Sequence, residues 1–315
     1  MRAAQINKYG SKEVVEIDKN ATKPALSAGH AIIEARAAGV NPVDWKIREG
    51  YLQQMMPLKF PATLGGDFSG VVADIGAGVS GFKKGDEVYG LASVLAGGSG
   101  SFADYISADA ALIAHKPKNA SHTEAAALPL AGISAWDVLV NKMELSKGQK
   151  ILIHGGAGGI GSIAIQLAKH AGAYVATTVS ADDRQYVTGL GADEVIDYKS
   201  ESFEGLLHGY DAVFDTVGGE VYKKSFSVLK KGGIIVSMLE QPDEELTKKY
   251  GVRAMAEATG YAINTHNLSA LAALVDRGVI KVHVDRVFLL EHAAEALAHQ
   301  QSGHPRGKIV LEVKR

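Results

Sequence analysis

The residues that could do chemistry by spacing alone are the glycines of Gly156-Ala157-Gly158-Gly159-Ile160-Gly161. This run fits G-x-G-x-x-G in the context that gives the pattern meaning. It follows Ile151-Leu152-Ile153, a short apolar run that reads as a buried parallel strand, and precedes residues of helical periodicity. Gly156 permits a tight turn. Gly158 lets the backbone approach a diphosphate with no Cβ in the way. Gly161 lets the helix pack close to the strand. The helix start at Gly159 and Ile160 then turns unpaired N–H groups and a partial positive charge toward the phosphates. A second match, Gly76-Ala77-Gly78-Val79-Ser80-Gly81, runs into Phe82-Lys83-Lys84-Gly85-Asp86, a turn and not a helix. It reads as a hairpin loop.

The elements around the glycine loop must position it. Ile160, Ile163, Ala164, Leu167, Ala168 and Ala171 share one helical face, and Gly172 can end the helix behind Lys169 and His170. Tyr174 to Val179 reads as the next strand, with Ala212-Val213-Phe214 and Ile234-Ile235-Val236 as two more. Strands alternating with helices imply a doubly wound parallel sheet. Val217-Gly218-Gly219 and Ser237-Met238-Leu239 then follow the fourth and fifth strands, on the carboxyl-end rim where such sheets bind dinucleotides. The tip of the second strand, Thr178-Val179-Ser180, lacks the acid that holds a ribose 2′-hydroxyl. Ser180, Arg184 and Tyr198 can instead surround a 2′-phosphate, which predicts NADP(H) over NAD(H). Asp182 and Asp183 read as the cap and first turn of the following helix.

Before this region the chain reads as mostly β to about residue 120, in short alternating runs such as Ala31 to Arg36 and Gly70 to Ile75. Ser121-His122-Thr123-Glu124 is a capping box, and Pro129 breaks the helix it opens before a second one toward Asn141. The tail reads as helix (268–277), strand (282–288), helix (291–299) and strand (308–313). It has no place in a six-strand sheet complete near residue 262, so it is expected to return to the first domain. The 315 residues, 46% hydrophobic and 22% charged, suit two domains. A net charge of -2 with no long basic run argues against nucleic acid or anionic lipid as partner. No run of about 18 apolar residues suggests a membrane span. The absence of any targeting segment makes cytoplasm the expectation. There are no cysteines, so disulfides and thiolate metal sites are excluded.

Gly155 to Gly161 followed by Ile165-Gln166-Leu167-Ala168-Lys169 resembles the medium-chain dehydrogenase/reductase superfamily, in its zinc-free quinone oxidoreductase and zeta-crystallin branch. Asn41-Pro42-Val43-Asp44, Gly66-Asp67-Phe68-Ser69-Gly70, Gly85-Asp86-Glu87-Val88, Gly191-Ala192-Asp193 with Ile196-Asp197-Tyr198, and Arg306 to Leu311 support it, over essentially the whole chain. The resemblance implies a GroES-like β domain (residues 1–121 and 263–315), a Rossmann domain (122–262), an active site in the cleft between them, and a homodimer. It also puts Asn41, Gly66 and Ala131 where zinc-dependent relatives hold their catalytic zinc, and none of these is a useful ligand. Asn41 and Ser134 are then expected near the nicotinamide.

Asp67 either orients a substrate or closes a hydrogen-bond network, with a simple turn aspartate as the alternative. Asn41 and Asp44 are expected in a loop. Tyr51, beside Leu52, Met55 and Met56, can offer its hydroxyl to a substrate carbonyl or be a surface tyrosine. His292, Glu295 and His299 share a helical face that reads as solvated, and His154 is expected to line the diphosphate loop. The expected activity is metal-free hydride transfer from NADPH to a quinone or α,β-unsaturated carbonyl. Its rivals are a zinc-independent carbonyl or alcohol oxidoreductase and a non-catalytic NADPH-binding protein.

Overall fold

A computed structural model describes residues 1–257, 262–303 and 305–314. The chain forms two compact units, one of residues 1–133, 263–278 and 282–315, the other of residues 134–262 and 279–281.

The second unit is built on a six-stranded sheet, parallel throughout. Its spatial order is Glu194–Asp197, Tyr174–Val179, Lys150–His154, Tyr210–Asp215, Leu229–Ser237, Arg253–Ala256. The order reverses beside the central strand Lys150–His154, and the glycine loop leaves that strand at its carboxyl end. This is the switch point where a doubly wound sheet opens a crevice for a dinucleotide. Leu152, Ala176, Val213 and Ile235 come from four neighbouring strands and meet in one buried cluster. Their continuous apolar runs reflect burial on both faces.

In the first unit a seven-stranded sheet is antiparallel except where Val284–Leu289 runs parallel to Lys308–Glu312. The tail does return there: Lys308–Glu312 pairs antiparallel with His30–Val40, setting Ile309 opposite Val40 and Leu311 opposite Ala38. Ile309 and Leu311 are completely buried with Ala38 and Val40. The capping box at Ser121 forms as expected, and Pro129 begins the helix Pro129–Trp136. The decoy glycines lie in the turn between the antiparallel strands Asp67–Ile75 and Glu87–Leu91.

One local expectation fails. Asn41 to Asp44 is not loop but the start of the helix Pro42–Glu49. Proline at the first helical position loses no hydrogen bond, and the Asp44 carboxyl accepts the Asn41 N–H at 2.7 Å.

Candidate functional site

The glycine loop is built as expected in outline and differs in detail. The left-handed residue is Gly155 (φ 68°), one position ahead of the expected Gly156. A side chain on Gly156 would run into Thr177 of the neighbouring strand, so this glycine serves strand-to-loop packing. At Gly161 a Cβ would collide with the Gly155 carbonyl oxygen, which is the close helix–strand approach the motif requires. Gly158 differs from both. A Cβ there would have only the Gly155 carbonyl oxygen, at 3.4 Å, within 4 Å, so the space beside it is open. That space adjoins the N-terminus of the 12-residue helix Gly159–His170, whose first N–H groups have no acceptor inside the helix. An anion fits this cradle electrostatically and sterically.

Along the rim of the same sheet, Asp215 does work that was not read from the sequence. It is fully buried at the end of its strand, and it accepts the Ser237 hydroxyl at 2.6 Å and the N–H groups of Val217 and Gly218 at 3.0 and 2.9 Å. Ser237 in turn accepts the N–H groups of Leu239 and Glu240. One carboxylate thus fixes both rim segments, and Ser237 is a brace. Val217 and Leu239 present exposed apolar edges. The available signal was an acid closing an apolar strand just before a Gly-Gly turn.

At the second strand's tip, the Ser180 hydroxyl donates to Asp183 at 2.9 Å. Arg184 donates to the Val195 carbonyl at 2.8 Å and pairs with Glu201 at 3.1 Å, while Tyr198 is exposed. Asp182 and Asp183 lie in a single 3-10 turn ahead of the helix Arg184–Gly189. Asp183 occupies the N-cap position but makes no side-chain cap bond, because its carboxylate takes the Ser180 hydroxyl.

His154 does not line the loop. It is wholly buried, with Nδ1 2.9 Å from the Thr178 hydroxyl and Nε2 2.8 Å from the Ser225 hydroxyl, and its ring edge meets Phe203. Burial pushes its pKa down to about 4, against the opposing pull of Asp215 and Glu204.

In the first unit, Asn41, Asp44, Asp67 and Lys308 form one buried group. The Asn41 amide N–H donates to Asp67 at 2.9 Å, and its carbonyl oxygen accepts from the Lys308 ammonium. Asp67 also accepts the Leu130 N–H at 3.1 Å, at the start of the helix Pro129–Trp136. Lys308 further donates to the Val40 carbonyl. Burial raises Asp67 and lifts Asp44 to about 7, while it lowers Lys308 against the attraction of the two acids. Of the two active readings of Asp67, its complete burial favours the network. Nothing local to the Arg306-Gly307-Lys308 run points to this role for Lys308, since its partners lie at the other end of the chain.

Asn41 precedes the helix Pro42–Glu49 and Tyr51 follows its cap Gly50, so roughly 12 Å of helix separates them. Tyr51 is 66% exposed, stacked edge-on against Trp45 and flanked by exposed Met55 and Met56. Ser134 is fully buried within the helix Pro129–Trp136. His292 pairs with Glu295 and His299 with Asp285. No helix among the described residues is long and apolar enough to cross a membrane.

Comparison with known proteins adds the relatives. The family model for the alcohol dehydrogenase GroES-like domain matches residues 27–118, and that for a zinc-binding dehydrogenase matches residues 190–311. The chain is 37% identical to a 2-methylene-furan-3-one reductase of Solanum lycopersicum, over 99% of this chain and 79% of the relative. It is 36% identical, with the same coverage, to a chloroplastic NADPH-dependent alkenal/one oxidoreductase of Arabidopsis thaliana. The solved structure of the quinone oxidoreductase from Coxiella burnetii superposes with a TM-score of 0.91 at 34% identity, covering 100% of this chain and 99% of that one.

Proposed function

Because the chain belongs to the medium-chain dehydrogenase/reductase superfamily, among its quinone oxidoreductases and enone reductases, we propose that it reduces a quinone or an α,β-unsaturated carbonyl with NADPH and without metal. The observation that carries this reading is the open cradle beside Gly158 at a helix N-terminus, on the switch point of the sheet. When bound, NADPH supplies the hydride.

The chain's own residues bind and align. Gly156 to Gly161 holds the diphosphate. The Asp215 brace keeps Val217, Ser237, Met238 and Leu239 in a fixed rim, so alignment there costs little ordering on binding. Ser180, Arg184 and Tyr198 surround the 2′-phosphate, with Ser180 turning from Asp183 and Arg184 from Glu201 to meet it. Asn41 and Ser134 help place the nicotinamide, Asp67 holds Asn41, and Tyr51 offers a hydroxyl to the substrate oxygen. Water supplies the final proton. The metal-free reading rests on the donor set: no cysteine, and an amide, a hydrogen and a methyl at Asn41, Gly66 and Ala131. The amide oxygen of Asn41 already faces an ammonium, which repels a cation. Residues 1–121 with 263–315 are the catalytic domain in this reading, and 122–262 the dinucleotide-binding domain. A cytoplasmic homodimer accompanies it.

The test is steady-state turnover of a small quinone and a small enone with each cofactor. The expected outcome is a higher kcat/KM with NADPH than with NADH. Arg184→Ala should raise KM for NADPH about tenfold and leave NADH unchanged, since a charge-assisted hydrogen bond contributes roughly 1.5–3 kcal/mol. Equal efficiency with the two cofactors would mean that Asp182 or Asp183 holds the ribose.

A further inference from the structure

Asn41 has two faces, and each is spoken for by a charge. Its carbonyl oxygen meets the Lys308 ammonium, and one of its two amide N–H groups meets the Asp67 carboxylate. The opposite orientation would set oxygen against carboxylate and N–H against ammonium, so the amide cannot turn over without losing both partners. Its second N–H is engaged by neither of these two charges. The lock is itself fixed. Lys308 opens the last strand, which is held in register by Ile309 opposite Val40. Gly307 lets the chain enter that strand with a φ of 80°, where a side chain would strike the His283 carbonyl. Asp67 is anchored by the Leu130 N–H.

We propose that Lys308 and Asp67 are positioning residues that hold the Asn41 carboxamide in one polarity, so that Asn41 serves the reaction only as a hydrogen-bond donor to a carbonyl oxygen. This rests on the reductase reading above and deepens it. Both the carboxamide of the cofactor and the acceptor substrate carry such an oxygen. An amide free to turn over would address either a donor or an acceptor. A locked one discriminates, because a ligand presenting N–H at that point would leave two donors facing each other.

A double-mutant cycle tests the inference. kcat and KM for a small enone, the NADPH dissociation constant by fluorescence titration, and the thermal midpoint are measured for wild type, Asn41→Ala, Lys308→Met and the double variant. Each single variant should lower activity at least tenfold, and the double should lose no more than Asn41→Ala alone. Lys308→Gln, which retains a donor for the Asn41 oxygen, should recover most of the loss. A weaker NADPH constant in step with the activity identifies the cofactor's oxygen. An unchanged constant with reduced kcat identifies the substrate's, and both results support the lock. Additive losses in the double variant would overturn it, because Lys308 would then act independently of Asn41. If Lys308→Met does not fold, Asn41→Asp decides. It gives Lys308 a carboxylate partner and removes the donor, so wild-type activity in that variant would overturn the proposal. No turnover by the wild type overturns both this inference and the reading beneath it, whereas turnover with additive losses sinks this inference alone.

Discussion

Small quinones and enones should be reduced at least a hundredfold more efficiently, in kcat/KM with NADPH, than matched saturated ketones. Simple alcohols with NADP should react no faster than those ketones. The argument is about where negative charge goes. Hydride addition to an isolated carbonyl builds an alkoxide on one oxygen. A Lewis-acid metal stabilises that charge by several kcal/mol, and ~3 kcal/mol is already more than a hundredfold in rate. In the proposed reading the positions matched to the metal ligands are Asn41, Gly66 and Ala131, and the only side-chain oxygen among these three is occupied by Lys308. Lys308 does not replace the metal in this reading, because it is buried and commits two of its three donors to Val40 and Asn41. A conjugated acceptor resolves the problem within the substrate, since the charge spreads into an enolate or quinol anion that needs only modest hydrogen-bond support. The measurement is a matched panel at fixed pH. Efficient oxidation of a simple alcohol, with enones and quinones inert, would favour the carbonyl/alcohol oxidoreductase alternative.

The dinucleotide loop was legible because its physics is local. A glycine loop between a buried strand and a helix specifies its own geometry within a few residues. Even the shift of the left-handed position from Gly156 to Gly155 leaves the cradle at Gly158 intact. The buried Asn41 group was not legible, because its partners are far apart in sequence. Asn41 and Lys308 are 267 residues apart, and only the pairing of the last strand with His30–Val40 brings them together. Asp215 and Ser237 meet for the same reason, as ends of neighbouring parallel strands. The helix at Pro42 was misread as loop although its signal is local: proline at N1 and an acid at N3 are start signals, and Asn-Pro is also a turn dipeptide. His154 was misplaced because strand alternation gives the face of a residue only where one face is solvated, and this strand is buried on both.

That buried histidine makes the second unit acid-sensitive within a defined window. Ser225 donates its hydroxyl to the Val221 carbonyl at 2.6 Å, so it accepts from His154 Nε2–H. Nδ1 is then the acceptor for Thr178. The neutral ring satisfies both neighbours, and a proton on Nδ1 would break one bond and place a charge out of reach of water. The folded-state pKa is therefore near 4, against an ordinary 6.5 in the unfolded chain. Between these values the unfolded chain binds the extra proton, so stability rises with pH: it is fully present above 6.5 and is lost as pH falls toward 4. The window corresponds to about 3 kcal/mol, at 1.36 kcal/mol per pKa unit. Urea unfolding at pH 7.5 and at pH 4.5 should therefore show wild type losing about 2–3 kcal/mol more than His154→Asn between the two pH values. The comparison cancels the carboxylates that do not interact with His154, which leaves Asp215 and Glu204 as part of the difference. The asparagine variant should be weaker at pH 7.5, because a smaller side chain leaves a gap beside Phe203, yet flatter in its response to acid. Parallel pH responses in the two proteins would show that His154 takes up its proton in the folded state without penalty.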